Sequence, residues 1–205
     1  MIAELSAQLA GAWRTTSWIE LGAAVLAVAY LVLAIGQRLS CWLAAFVSSC
    51  LYIWVLFQAR LYMESVLNGF YAVMDVYGYA RWRHGAAGRP LHVARWPPRR
   101  HALGLLGVLA LSVLSSHFLR RYTPAAWPFV DSMVTWSSVF ATYLVARKVY
   151  ENWHWWLVID SVALYLYFTR HLYATMLLFA LYLALIVLGM REWRRSMRPA
   201  AHAAV

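Results

Sequence analysis

Apolar residues in this chain come in long runs, separated by short polar or basic segments. Seven runs, at 18–36, 40–57, 61–82, 101–119, 127–146, 152–168 and 172–190, have the length and apolar content of membrane helices. About 20 mostly apolar residues in a helix cross roughly 30 Å of hydrocarbon. The interruptions are short: Gln37-Arg38, Gln58-Ala59-Arg60 and Thr169-Arg170-His171. The longest, at 84–100, holds Pro90, Pro97 and Pro98 among arginines, and proline and charge both argue against a span there. The segment after Arg191 is a basic tail. The pattern predicts an all-α integral membrane protein of seven transmembrane helices, forming a single domain over 1–205.

The chain also matches itself at an offset of 111 residues without a gap. Trp42 aligns with Trp153, Phe57 with Phe168, Leu61-Tyr62 with Leu172-Tyr173, Tyr71 with Tyr182, Gly78 with Gly189, and Trp82-Arg83 with Trp193-Arg194. Glu20 and Asp131 fall in the same register. The expected repeats are three-helix bundles at 18–83 and 127–194, with a linker helix at 101–119. Three crossings are odd, so a copy following directly would insert upside down. One extra crossing restores the direction and gives a 3+1+3 arrangement of parallel repeats. Transporters of the SWEET kind are built this way, with substrate held between the repeats near the midplane.

Polar groups inside spans are costly and point to function. The third span carries Glu64, Asn68, Tyr71, Asp75 and Gly78 at helical spacing on one face. Their repeat partners in the seventh span are mostly apolar, so the fold itself does not require the stripe. Asn68 is placed near mid-depth and Asp75 nearer the inner end. In the sixth span Trp153, Trp156 and Asp160 share a face, with Asp160 near the midplane. A protonated Asp160 hydrogen-bonded to another helix is the plainer alternative to a ligand there. Trp153 and Trp156 are also readable as interfacial or packing aromatics, Trp153 equally so because it sits at the helix end. Asp131 and Glu20 open their helices, where a carboxylate complements the helix dipole. Trp136 lies deeper in the fifth span and is a candidate for the cavity wall.

Composition agrees with the membrane reading: 63% of residues are hydrophobic and 13% charged, about half the charged share of an ordinary soluble domain. Twelve Trp and thirteen Tyr suit interfacial anchoring, or a flat ligand. The net charge of +10 lies between apolar runs, as loop charge does, and does not call for nucleic acid. With the N-terminus outside, the inner loops hold thirteen Lys or Arg and the outer ones five, so the positive-inside rule predicts N-out, C-in. Residues 1–11 lack the basic start of a signal peptide. Cys41 and Cys50 form no metal or disulfide pattern. The only lysine, Lys148, is in a loop, which argues against a retinal protein. No phosphate-binding glycine loop, metal-spaced histidine pair or Ser-His-Asp set is present, so no catalytic residue, metal or cofactor is expected.

Motif by motif, the chain resembles the PnuC family of bacterial nicotinamide riboside transporters. The run Glu151-Asn152-Trp153-His154-Trp155-Trp156 followed by Asp160 resembles the family's W-x-x-W-x-x-x-N/D motif. Leu61-Tyr62 with Tyr77-Gly78-Tyr79-Ala80-Arg81-Trp82 resembles its L-Y…Y-G-W-x-x-W end of span 3, with Tyr79 in place of the usual Trp. Trp127-Pro128-Phe129-Val130-Asp131-Ser132 resembles its F-P-F-x-D-S start of span 5. The resemblance implies a multi-pass protein of the bacterial inner membrane. It also implies facilitated diffusion of nicotinamide riboside as a uniport, cytoplasmic trapping by phosphorylation, no cofactor, and a homo-oligomer, by family a trimer. Carried over by motif, the substrate site comprises Asn68, Asp75, Trp156 and Asp160. Tyr71 and Trp136 join it by position, with Glu64, Asp131 and Trp153 as further candidates. Some relatives have amides where this chain has Asp75 and Asp160, and sister groups carry thiamine or riboflavin. A thiamine or other vitamin transporter is therefore the same-class alternative, and a membrane enzyme or assembly subunit the different-class one.

Overall fold

The computed structural model describes residues 17–58, 60, 62–85, 89–122, 127–169 and 173–197, with backbone alone at 62–64 and 173–174. Among them are seven helices: α1 Trp18–Ile35, α2 Ser40–Gln58, α3 Tyr62–His84, α4 Pro98–Tyr122, α5 Pro128–Ala146, α6 Asn152–Thr169 and α7 Tyr173–Ser196. Ser17 caps α1 by accepting the Glu20 N–H at 3.2 Å. Proline opens α4 and α5, where its missing N–H leaves no bond unmade. This is why α4 begins three residues before the apolar run that predicts it. Helix α3 runs past its apolar stretch to His84 and stops at Gly85, whose φ of 71° suits glycine. A Cβ there would collide with the Arg89 carbonyl.

Five helices, α1, α2, α4, α5 and the 175–196 stretch of α7, are long and apolar enough to cross a membrane by length and composition. The two that fall short are α3 and α6, the helices that carry Asp75 and Asp160.

Packing divides the helices as three, one and three. α1, α2 and α3 pack in sequence, as do α5, α6 and α7. α3 also meets α5, and α1 meets α7, so six helices close into a ring with α4 set against α5 outside it.

The 111-residue offset recurs in the contacts. Trp42 packs on Gly78 and Trp153 on Gly189. Trp42 meets Trp82 edge-on with centroids 5.5 Å apart, and Trp153 meets Trp193 edge-on at 5.4 Å. Across the two seams of the ring the exchange is reciprocal. Trp82 Nε1 donates to the Val145 carbonyl at 3.2 Å, and Trp193 Nε1 to the Ala34 carbonyl at 3.0 Å. α1 and α5 end in the same left-handed turn, with φ of 53° at Gln37 and 49° at Lys148. Each is closed by a matching bond, Arg38 N–H to the Leu33 carbonyl and Val149 N–H to the Leu144 carbonyl. The two turn residues then pair with each other, Lys148 Nζ donating to Gln37 Oε1 at 3.3 Å, while Nζ lies 4.6 Å from the Trp82 ring centre.

The linker before α4 docks on this same end. Ala94 exchanges backbone bonds with Lys148 and Tyr150. Glu151 accepts the Trp96 N–H at 3.2 Å and faces Arg95 at 3.8 Å and His101 at 3.6 Å.

Candidate functional site

The costliest polar groups lie in the ring helices. Asp75 of α3 is buried, and Ser49 Oγ of α2 donates to its Oδ2 at 3.0 Å. Ser49 is the tenth of nineteen residues in α2, so Asp75 sits near mid-depth rather than toward the inner end. The difference arises because α3 extends beyond the apolar stretch from which depth is counted. Asp160 is buried midway along α6, the ninth of its eighteen residues, with no hydrogen bond or ion pair among the described residues. The repeat relation clarifies the asymmetry. Ser49 is the counterpart of Asp160, and Ile186, fully buried, is the counterpart of Asp75. One bundle therefore gives its carboxylate a serine partner; the other offers an isoleucine side chain that cannot hydrogen-bond.

Tyr182 of α7 lies within electrostatic range of both Asp160 and Tyr52 of α2. α2 and α7 are not neighbours around the ring, so groups that reach each other from these helices face its interior. Tyr30 of α1 lies within electrostatic range of Asp75.

The remaining sequence candidates separate. Tyr71 faces Ser138 across the α3–α5 seam. Asn68 is half-buried on the face of α3 that carries Tyr71. Trp156 is partly buried one turn before Asp160, against the apolar cluster that includes Trp42, Trp153 and Trp193. Trp153 is fully buried on Gly189 and acts as packing. Trp136 turns outward, donating to Ser115 of α4 at 2.9 Å and lining an apolar cavity of about 350 Å³ between α3, α4 and α5. Asp131 is exposed in the first turn of α5, where it complements the helix dipole. The side chain of Glu64 lies outside the described residues.

Sequence reasoning did not single out Ser49, Tyr52 or Tyr30. The repeat held a signal for Ser49, which aligns with Asp160; the tyrosines had none, being indistinguishable from interfacial aromatics. No group of three metal-binding side chains occurs among the described residues. What the ring offers is a pair of buried carboxylates amid phenols and indoles, which suits a flat, polar and cationic solute.

The family model described as "Nicotinamide mononucleotide transporter" matches residues 17–195. The chain belongs to this family. It is a multi-pass membrane transporter of the PnuC kind and not an enzyme. Among its relatives is the nicotinamide riboside transporter PnuC of Escherichia coli (strain K12), 24% identical, with 89% of this chain and 87% of the relative covered. The riboflavin/roseoflavin transporter RibM of Streptomyces davaonensis is 26% identical, covering 89% of both chains. A solved structure described as "Crystal structure of the Vitamin B3 transporter PnuC" superposes with a TM-score of 0.73 at 21% identity. It covers 97% of this chain and 90% of the solved one, which shows that the fold is shared.

Proposed function

We propose that this transporter carries nicotinamide riboside by facilitated diffusion, supplying a precursor of NAD that phosphorylation traps in the cytoplasm. The observation that carries the reading is Asp160, buried at mid-depth with no hydrogen-bonding or ionic partner among the described residues. A carboxylate in such a place is expensive unless something pairs with it. The pyridinium ring of the riboside supplies the missing countercharge, and the ribose hydroxyls suit Asp75, Asn68 and Tyr71. Trp156, one turn away, offers an indole face, and a cation over an aromatic ring contributes roughly 0.5–2 kcal/mol. The motif runs around Trp156 and Asp160 and the Escherichia coli relative support the same substrate.

Riboflavin is the second reading, favoured by the RibM relative. Its isoalloxazine is flat but uncharged, so it leaves the carboxylates without a counterion. The arginine count supports an N-out, C-in orientation in a bacterial inner membrane, and the family resemblance supports a homo-oligomer.

The test is uptake of labelled nicotinamide riboside into proteoliposomes, with thiamine and riboflavin as competitors. Uptake that unlabelled riboside competes away and that needs neither ATP nor a coupled ion gradient is expected, and because the substrate is a cation an inside-negative potential should increase it. No uptake, or uptake suppressed by riboflavin or thiamine but not by unlabelled riboside, overturns the reading.

A further inference from the structure

The two seams of the ring are related by the repeat but are finished differently. At the α3–α5 seam, Tyr77 and Tyr143 lie nearly parallel with centroids 6.3 Å apart, and Trp96 from the linker packs edge-on against Tyr143 at 6.1 Å. The chain thus covers that seam with its own aromatic residues. At the α1–α7 seam the counterparts of Tyr77 and Tyr143 are Leu188 and Val32, 50% and 51% exposed. Here a cavity of about 560 Å³ opens, with Val32, Leu33 and Leu188 along its wall. Arg38, Arg191 and Arg195 stand at its rim together with Glu192, which lies 3.7 Å from Arg195. No ion pair engages Arg38 or Arg191 among the described residues. Directly beneath is the Trp193 bond to the Ala34 carbonyl that ties the two helices.

We infer that this groove holds one anionic phospholipid, its phosphate among the three arginines and an acyl chain along Val32 and Leu188. The chemistry is complementary at both ends. Aliphatic residues at a membrane-facing seam accept hydrocarbon, and guanidinium groups pair with phosphate by forked hydrogen bonds. Basic pockets between membrane helices are established places for acidic headgroups. Residues 198–205 carry Arg198 and no acidic side chain, so their side chains do not complement the rim.

Native mass spectrometry of the full chain, released from detergent with defined lipid, tests this. Phosphatidylglycerol should be retained as one molecule per protomer, in preference to phosphatidylcholine. Replacing Arg38, Arg191 and Arg195 together with Gln should weaken retention roughly a hundredfold, at about one near-surface charge step per arginine. Because the triple variant could fail to fold, Glu192→Gln provides a second arm. It removes the carboxylate that competes for Arg195 and should strengthen retention. Deleting residues 198–205 should leave retention unchanged. Equal retention of phosphatidylcholine, or an unaffected and folded triple variant, overturns the inference. So does weaker retention in Glu192→Gln. Displacement by millimolar inorganic phosphate would assign the groove to free phosphate, and stronger retention after the deletion would assign it to the tail; either overturns the inference.

Discussion

Replacing Gly78 with Ala tests the packing that holds the first bundle together. A Cβ on Gly78 would lie 2.5 Å from three atoms of the Trp42 ring, well inside van der Waals contact. The ring has little freedom to yield, since Trp42 is 1% exposed and packed against both Trp82 and Tyr30. Overpacking of this kind costs about 1–3 kcal/mol. Alanine's better helix propensity returns up to about 1 kcal/mol. Gly22 is the control, because among the described residues nothing lies within 4 Å of its added Cβ. Gly78→Ala should lower the thermal unfolding midpoint in detergent, and Gly22→Ala should leave it unchanged or raise it. Trp42→Phe removes the clashing ring atoms and loses no hydrogen bond among the described residues, where Trp42 Nε1 has no partner. In that background Gly78→Ala should cost much less, giving a coupling of about 1 kcal/mol or more. Equal cost with and without the Trp42 ring would refute the steric account.

Three further outcomes follow from the same structure. Burial pushes the Lys148 ammonium below its ordinary range, so below that lowered pKa its charge is a cost in the folded state. As pH rises from the lowered folded pKa toward the unfolded value near 10.5, the folded state holds fewer protons and stability should rise. Thermal melts across alkaline pH should show this rise, and Lys148→Met should remove that part of it. Glu151→Gln should weaken the linker's hold by about 1 kcal/mol, the partly exposed worth of its charged contacts, and limited trypsin should then cut faster at Arg95. Trp156→Ala should weaken riboside binding by about tenfold with the fold intact, measured by titration calorimetry.

Much of this architecture was written in the chain. Apolar runs located all seven helices, because crossing a bilayer demands a length that local composition reveals. The repeat was legible because Trp42 with Gly78, and Trp153 with Gly189, are contacts in which a large ring requires a missing side chain. Azimuth was harder to read. Trp136 is at the right depth, but α5 faces α3, α4 and α6 in turn, and only packing shows that this indole meets Ser115. Trp153 was ambiguous for a related reason, since an indole near a helix end is equally suited to lipid interface and to core. The Ser49–Asp75 bond joins residues 26 apart, and a bond between helices leaves no mark on either local sequence.

The central claim is that a carboxylate at mid-depth in the ring receives a cationic ring, and the most direct measurement compares two forms of one ligand. Nicotinamide riboside carries a pyridinium charge; its dihydro form has nearly the same shape and no charge on the ring. Calorimetric titration of both against the wild-type protein and Asp160→Asn separates charge from shape. The account predicts that wild type prefers the cation by tenfold or more, about 1.4 kcal/mol, and that Asp160→Asn narrows the preference. Equal affinity for the two forms in wild type, or a preference that Asp160→Asn leaves untouched, would contradict it.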